Sequence, residues 1–292
     1  MSANGVPAGL VLAENFAAVR EAVNAAKGRG LRVGFVPTMG ALHAGHVSLM
    51  EIARRECDFV VASIFVNPTQ FGPNEDFTRY PRTLENDLAL CAAAGVSLVF
   101  HPTPEQMYPK QPPFGTFVEV TGLSEILEGA IRPGHFRGVT TVVLKLFEIV
   151  GAHAAYFGQK DFQQQTIIRQ MVRDLNLPVE VRVCPTIRET DGLALSSRNI
   201  YLQGEERPSA LALSRSLKLA DEALRGGETD LKAIQAKMQA LLSGTPLVKP
   251  DYAVLADPDT LQELIGMQSR IVALVAARVG KTRLIDNLVI EL

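Results

Sequence analysis

Long apolar runs, cysteine pairs and a basic excess are all missing from this 292-residue chain. No stretch approaches the ~18 consecutive apolar residues of a membrane-spanning helix. The three cysteines, Cys57, Cys91 and Cys184, stand far apart with no CxxC pair. An odd, scattered set fits buried thiols in a reducing compartment better than a disulfide framework or a zinc site. Lys and Arg total 29 and Asp and Glu total 31, a formal charge of −2. A chain built to hold nucleic acid or an anionic membrane surface needs a basic excess, so neither partner is expected. The amino terminus has no basic n-region, and Glu14 interrupts its mildly apolar start, so no secretion signal is expected. What is present is an ordinary globular mix, 47% apolar and 21% charged, at a length suited to two domains. The expectation is a soluble, cytoplasmic protein.

The first two-thirds of the chain alternates short apolar runs with helical patterns. Strands are expected at Arg32–Val36, Phe59–Val66, Val96–Phe100, Ala154–Phe157 and Val179–Cys184. The continuous β-branched run FVVASIFV marks a strand buried on both faces. Helices are expected through Val47–Glu56, around Leu84, Leu88 and Cys91 with Gly95 ending the helix, at Val139–Val150, and around Ile168, Met171, Val172 and Leu175. Alternation of this kind gives a parallel sheet with helices on both faces. After about Thr186 the pattern changes to a long helix at about Glu205–Leu224, a second at about Leu231–Leu242, and β patterns at Tyr252–Ala256, Ile271–Ala277 and Arg283–Ile290. Helices followed by consecutive strands predict a smaller α+β domain, and Pro102–Pro113 reads as an extended surface loop.

Open α/β sheets bind ligands beyond the carboxyl ends of their strands, so the chemistry is sought there. After the first of the expected strands stands PTMGALHAGH, residues 37–46, running directly into a helix. Its two histidines, His43 and His46, flank the helix entrance, where unpaired backbone N–H groups attract anionic oxygens. Gly40 and Gly45 allow a phosphate or base to approach the chain closely. Taken alone, the pair also reads as two surface histidines. Further polar clusters follow other strands: Asn67-Pro68-Thr69-Gln70, Gly158-Gln159-Lys160-Asp161 with Gln163-Gln164, and Leu195-Ser196-Ser197-Arg198-Asn199. Each has a plainer reading, with Asp161 an N-cap, Gln70 a turn residue and Arg198 solvated. Their recurrence at several strand ends of one sheet argues against coincidence. Val279-Gly280-Lys281-Thr282 mimics the end of a phosphate-binding P-loop, but Val275 stands where the motif needs glycine, and two β patterns flank it, so a β-turn is expected.

Together PTMGALHAGH, SIFVNPTQFG, YPRT, RPGHFRGV, FGQKDFQQ and DGLALSSRN resemble the pantothenate synthetases (pantoate–β-alanine ligases), in matching order over roughly residues 10–290. That family sits in the HIGH-motif nucleotidylyltransferase superfamily with the class I aminoacyl-tRNA synthetases. Departures are few: Ala44 where an acidic residue is frequent, Gln159 where Glu is usual, Thr69 where Met or Leu is common, and Leu195 for a frequent Met. The resemblance implies a Rossmann-like nucleotide- and pantoate-binding domain over 1–186 and a smaller α+β C-terminal domain over 187–292. It implies adenylation of pantoate by ATP with Mg2+, release of pyrophosphate, attack of β-alanine and release of AMP. On that reading His43 and His46 hold the α/β-phosphates, with His46 the proton donor, and Lys160 neutralises the phosphate charge. Ser196, Ser197 and Arg198 clamp pyrophosphate as the family's counterpart of the KMSKS loop. Gly158 and Asp161 face the ribose. Met39, Gly40, Ala41, Leu42, Ala44, Gly45, Gln159, Ile187 and Leu195 complete the ATP site. Gln70 and Gln164 read pantoate, and the assembly is a homodimer. No protein ligand for Mg2+ is assigned.

Two alternatives stay open at this point: another HIGH-motif nucleotidylyltransferase, tRNA-charging relatives included, and a nucleotide-sensing protein without turnover. The first, as a tRNA binder, needs a basic face, and the second has no use for the pyrophosphate-side groups. Arg132–Gly138, with Gly134 and Gly138 as hinges and Arg132, His135 and Arg137 closing on phosphate, is expected to be either a lid that keeps water from the acyl adenylate or a plain turn.

Overall fold

The computed structural model describes residues 6–73, 75–109 and 115–292. The chain opens with a short strand β1 (Val11–Ala13) and helix α1 (Phe16–Gly28), whose N-cap Asn15 accepts from the Ala18 N–H. Strand β2 (Val33–Thr38) leads to α2 (Ala44–Glu56), and β3 (Phe59–Ile64) is followed by α3 (Leu84–Ala93) and β4 (Leu98–Phe100). Helix α4 (His135–Val150), β5 (Ala154–Gly158), α5 (Phe162–Asp174) and β6 (Glu180–Cys184) complete the series. The six strands form one parallel sheet in the order β1-β4-β3-β2-β5-β6. Strand order therefore runs one way from β2 through β3 and the other way through β5. The carboxyl end of β2 lies at the switch point where such sheets bind ligands.

Both faces of this sheet are covered, which explains the unbroken apolar strands. Phe35 and Val61 face one way, into a core with Val19, Val23, Val143 and Ile168 from helices α1, α4 and α5. Val60 and Ala62 face the other way, against Leu49 and Met50 of α2 and Leu88 of α3. All three cysteines are buried and free.

The chain divides into two compact units, Met1–Gly158 with Ile167–Cys184, and Gln159–Thr166 with Pro185–Leu292. In the second unit, α6 (Leu211–Arg225) and α7 (Leu231–Ser243) pack their apolar stripes on an antiparallel sheet of β7 (Val248–Ala256), β8 (Arg270–Val279) and β9 (Thr282–Glu291).

Three expectations are corrected here. The helix expected from about Glu205 is divided into a turn at Glu206–Ser209 and α6, at Pro208, which lacks an N–H. Within the expected Pro102–Pro113 loop, Pro104–Met107 is helical, closed by a reciprocal cap between Thr103 and Gln106, with Met107 fully buried. The rest of that loop from residue 110 lies outside the described residues. The stretch Arg132–Gly138 is not a free loop, because α4 begins at His135. The P-loop mimic is a two-residue hairpin turn between β8 and β9, with Val279 paired to Thr282 and Gly280 at φ +57°. Among the described residues no helix is long and apolar enough to cross a membrane.

Candidate active site

The segment after β2 is built around two donor–acceptor exchanges. Thr38 Oγ1 donates to the Ser63 carbonyl at 2.7 Å and accepts from the Gly40 N–H at 3.1 Å, tying the end of β2 to β3. The chain then passes through left-handed conformations at Gly40 (φ +78°) and Ala41 (φ +49°). Such a φ strains an alanine by about 1–2 kcal/mol, so something must hold it. The holder is Asp87 of α3, buried to 1% exposure, whose carboxylate accepts from the Ala41 N–H at 3.0 Å, the Leu42 N–H at 2.8 Å and the Thr83 hydroxyl at 3.1 Å.

At the entrance of α2 the histidines cap one another. His43 Nδ1 accepts from the Gly45 N–H at 3.1 Å, and His46 Nδ1 accepts from the His43 N–H at 3.3 Å, their rings 4.1 Å apart. A nitrogen that accepts carries no proton, so in the neutral rings the proton sits on Nε2 of both. Two Nε2–H donors thus stand at the positive end of a helix whose first turn has no acidic residue, Ala44 included.

After β3, Asn67 caps a 3-10 turn at Pro68–Gln70. Its buried amide donates to Gln70 Oε1 at 3.0 Å and to the Gly138 carbonyl at 3.2 Å, while its oxygen accepts from the Tyr108 hydroxyl at 2.9 Å. Gln70 Nε2 reaches Met39 Sδ at 3.2 Å. Gly138 packs directly beneath: a Cβ there would stand 2.4 Å from the Thr69 carbonyl oxygen and 2.8 Å from Gln70 Cα.

The lid expectation for residues 132–138 fails on this geometry. Arg132 forks onto Glu75 with two 2.6 Å bonds and meets His135 Nε2 at 3.0 Å, while His135 Nδ1 donates to the Gln70 carbonyl at 2.8 Å. Burial pushes the Glu75 carboxyl up, but the Arg132 hydrogen bonds and charge outweigh it and hold the group below its ordinary range. Burial, then the Arg132 charge, push His135 down to about 4. Arg137 lies over the Phe117 ring at 5.0 Å. Arg132 and His135 are spent on support under Gln70, Arg137 on Phe117, and Gly138 is a contact point rather than a hinge.

Gly158 ends β5 in the first unit, and the second unit holds the remaining expected residues. Lys160 is half-buried and its Nζ lies 3.5 Å from Asp161 Oδ1. Gln164 sits in the first turn of α5, half-buried. A small hairpin over 187–195, closed by Leu195 N–H to the Ile187 carbonyl and Glu189 N–H to the Leu193 carbonyl, leads into a 3-10 turn at Ser197–Tyr201. Ser196 Oγ caps that turn by accepting from the Arg198 N–H at 3.3 Å. Asn199 ties the turn back to the hairpin through Glu189 Oε1 at 3.0 Å and the Ala194 carbonyl at 3.1 Å. Ile187 is exposed.

Within the first unit the structure brings Met39–His46 and Gln70 together through the Met39–Gln70 contact. Within the second, Asn287 bonds both Gln159 and the Lys160 carbonyl, and Arg188, in the hairpin that leads to Ser196–Arg198, forks onto the neighbouring Asp286. Sequence reasoning missed Asp87 and Asn287, and named Asn67 only as part of a polar cluster with no role assigned. A lone Asp between Leu84, Leu88 and Cys91 was a legible signal for the first of these.

The chain matches the family model described as pantoate-beta-alanine ligase over residues 11–289. It is 54% identical over 280 residues to the pantothenate synthetase of Moorella thermoacetica, covering 96% of this chain and 98% of that protein. It is 58% identical over 261 residues to that of Chloroflexus aurantiacus, covering 89% of this chain and 92% of the other. The crystal structure of the Thermus thermophilus pantothenate synthetase superposes with a TM-score of 0.89 at 48% identity, over 95% of this chain and 98% of that one. A Francisella tularensis pantoate-beta-alanine ligase, solved in complex with beta-gamma ATP and beta-alanine, gives a TM-score of 0.78 at 37% identity, over 96% and 97%. A glycine-loop entrance with mutually capping histidines, carried on a doubly wound sheet and matched along nearly the whole chain, settles the relationship: the chain belongs to the pantoate–β-alanine ligase family, whose members are acid–amine ligases.

Proposed function

We propose that the chain joins pantoate to β-alanine in two steps, with ATP first converting pantoate to pantoyl adenylate and pyrophosphate, and β-alanine then displacing AMP to give pantothenate. The observation that carries this reading is the reciprocal His43–His46 cap, which fixes two Nε2–H donors at an acid-free helix entrance. In the first step a pantoate carboxylate oxygen attacks the α-phosphorus, the bond to the β-phosphate oxygen breaks, and pyrophosphate leaves with the electron pair. Charge grows on oxygens that His43 and His46 meet with preformed hydrogen bonds, the kind of stabilisation worth roughly 10²–10³ in rate per donor. Lys160 and the Ser196–Ser197–Arg198 triplet supply positive charge and donors for the leaving pyrophosphate. Gly158 and Asp161 bind the ribose, and Met39–Leu42, Ala44, Gly45, Gln159, Ile187 and Leu195 complete the nucleotide site.

Gln70 and Gln164 read pantoate, since an amide both donates and accepts. In the second step the β-alanine amine attacks the acyl carbon and AMP leaves with its phosphate oxygen. No covalent bond to the chain is needed, so positioning and fixed charge carry the catalysis.

Among the described residues no group of three or more His, Cys, Asp or Glu side chains is arranged to hold a metal. The residues present suit a magnesium ion that arrives on the ATP phosphates and keeps its remaining waters. Bound there, it would neutralise phosphate charge. A homodimeric assembly in the cytoplasm completes the reading.

The test is exchange of labelled pyrophosphate into ATP by the purified chain. Exchange that requires pantoate supports the ligase. Exchange that requires tRNA or another acid, or ATP binding with no exchange, overturns it.

A further inference from the structure

The segments proposed above to face pyrophosphate do not support themselves. Gln159 and Lys160 lie between the end of β5 and the start of α5, and both their carbonyls are taken by one side chain from the far end of the sequence. Asn287 Nδ2 on β9 donates to the Gln159 carbonyl at 3.0 Å and the Lys160 carbonyl at 2.8 Å. Gln159 Nε2 returns a longer bond to Asn287 Oδ1 at 3.4 Å. The Asn287 residue is 2% exposed, so its amide makes these bonds away from water.

Its neighbour Asp286, 4% exposed, takes the other segment. Successive strand side chains point to opposite faces of a sheet, so the two reach in different directions. Arg188 forks onto Asp286 at 2.6 Å and 2.9 Å, and the same two terminal nitrogens also donate to the Gly192 carbonyl at 3.1 Å and the Asn287 carbonyl at 3.3 Å. Arg188 starts the hairpin whose other strand runs into Ser196–Ser197–Arg198. The Asn287 N–H donates to Asp286 Oδ1 at 2.8 Å, locking the pair. Two consecutive buried polar residues on one strand thus hold the backbone behind Lys160 and the hairpin behind the serine–arginine triplet. A fold that needed only a stable sheet has no use for them, since burying an amide and a carboxylate costs free energy that apolar residues would not.

We infer that Asp286 and Asn287 are positioning residues for the reaction, fixing Lys160 and the Ser196–Arg198 turn in one frame through β9. The inference rests on the roles proposed above for those two segments. It assigns the C-terminal sheet a part in adenylation rather than in folding alone.

The decisive variant is Asn287→Asp, nearly isosteric, whose carboxylate cannot donate to two carbonyls and repels them. Pantoate-dependent ATP–pyrophosphate exchange in the full chain should lose roughly 10²-fold in kcat, the usual effect of about 1 Å of misplacement, with KM for pantoate unchanged. If Asn287 acts through Lys160, then Asn287→Asp combined with Lys160→Ala should be no slower than Lys160→Ala alone by more than about twofold. Asn287→Ser, which keeps one donor, should fall between. Asp286→Asn should raise KM for pyrophosphate and leave that for pantoate alone. Leu288→Ala, on the same strand but packed on the apolar core, controls for stability: it should lower Tm while keeping kcat.

Normal exchange in folded Asn287→Asp, losses that multiply in the double variant, or an unchanged pyrophosphate KM in Asp286→Asn each overturn the inference while leaving the ligase reading intact. Failure of both Asn287 variants to fold while Leu288→Ala folds also overturns it, making the pair part of the domain core. Absence of pantoate-dependent exchange in the unaltered chain overturns the ligase reading itself.

Discussion

The loop after β2 and the segments around Lys160 and Ser196 face the same class of ligand in the proposed reaction, yet they are held in opposite ways. His43 and His46 cap each other across three residues, Thr38 holds the Gly40 N–H from two residues away, and one carboxylate, Asp87, holds Ala41 and Leu42. Gln159 and Lys160 depend on Asn287, more than 120 residues further along, and Arg188 depends on Asp286, 98 residues away. A self-capped motif keeps its shape wherever its helix goes. A motif held from a distant strand keeps its shape only if that strand is folded and in register. Local support gives robust geometry, and distant support ties the geometry to the state of a whole sheet.

Removing a donor from the self-supporting side should produce the largest effect. His46→Ala is expected to lower pantoate-dependent exchange by roughly 10²–10³-fold, about 3–4 kcal/mol, in a chain that still folds. Because its ring also caps α2, a further loss of about 1 kcal/mol in stability should accompany it, read from the denaturant midpoint. Near-normal exchange would take His46 out of the mechanism.

The Glu75–Arg132–His135 chain, which supports the Gln70 turn across 57 and 65 residues, sharpens the comparison with a second case of distant support. His135 is pushed from 6.5 down to about 4, so between those values the unfolded chain binds a proton that the folded chain refuses. Stability should be complete above pH 6.5 and fall by about 3 kcal/mol as acid takes the pH through that window. The lowered Glu75 carboxyl acts in the same direction below the usual carboxylate range. Denaturant midpoints measured from pH 7 to pH 4 should slope downward, and His135→Asn should flatten the upper part of the slope. An equal slope in that variant would assign the acid sensitivity to other groups.

Asp87→Asn probes the long-range contact that holds Ala41 and Leu42. It leaves an acceptor for one N–H and turns an amide toward the other, so stability should fall by about 1–3 kcal/mol, with a loss of exchange alongside it. A destabilised variant with full activity would show that Ala41 holds its left-handed conformation without help.

Gln70→Ala and Gln164→Ala should each raise the apparent KM for pantoate, by about 1–3 kcal/mol, and leave that for ATP alone. An equal effect on ATP would move these amides to the nucleotide. The smallest effect is expected at Lys281. Standing in a hairpin turn, Lys281→Ala should change stability by no more than about 0.5 kcal/mol and exchange hardly at all, whereas Lys160→Ala should lower exchange by roughly 10²–10³-fold.

The same contrast decides what could be read before the structure was known. The strand–helix alternation that gives β2 to β6, the apolar stripe of α4 and the PTMGALHAGH entrance are short-range patterns, each plain in a window of about fifteen residues, whereas the three-residue β1 was not expected. Helix α1 carries an equally local signal, Asn15 capping a run with Val19, Val23 and Ala26 inward, which the mild hydrophobicity around it obscures. The hinge reading of Gly138 failed because glycine permits motion and close packing alike, and only the neighbouring Thr69 carbonyl distinguishes them. Asn287 gave no sequence signal at all. An asparagine late in an ordinary strand becomes meaningful only when a segment from the middle of the chain is laid against it.

Gly138 also sets a limit on redesign. To a designer it looks like a spare glycine in a helix, worth up to about 1 kcal/mol if changed to alanine. Here the helix backbone already touches the turn that carries Gln70, with its carbonyl held by Asn67. With Gln70 in its proposed role toward the acid, a bulkier substrate cannot be fitted by letting the 68–70 turn retreat toward α4, because there is no space behind it. Extra room for such an acid has to come from trimming side chains on the open side of the turn.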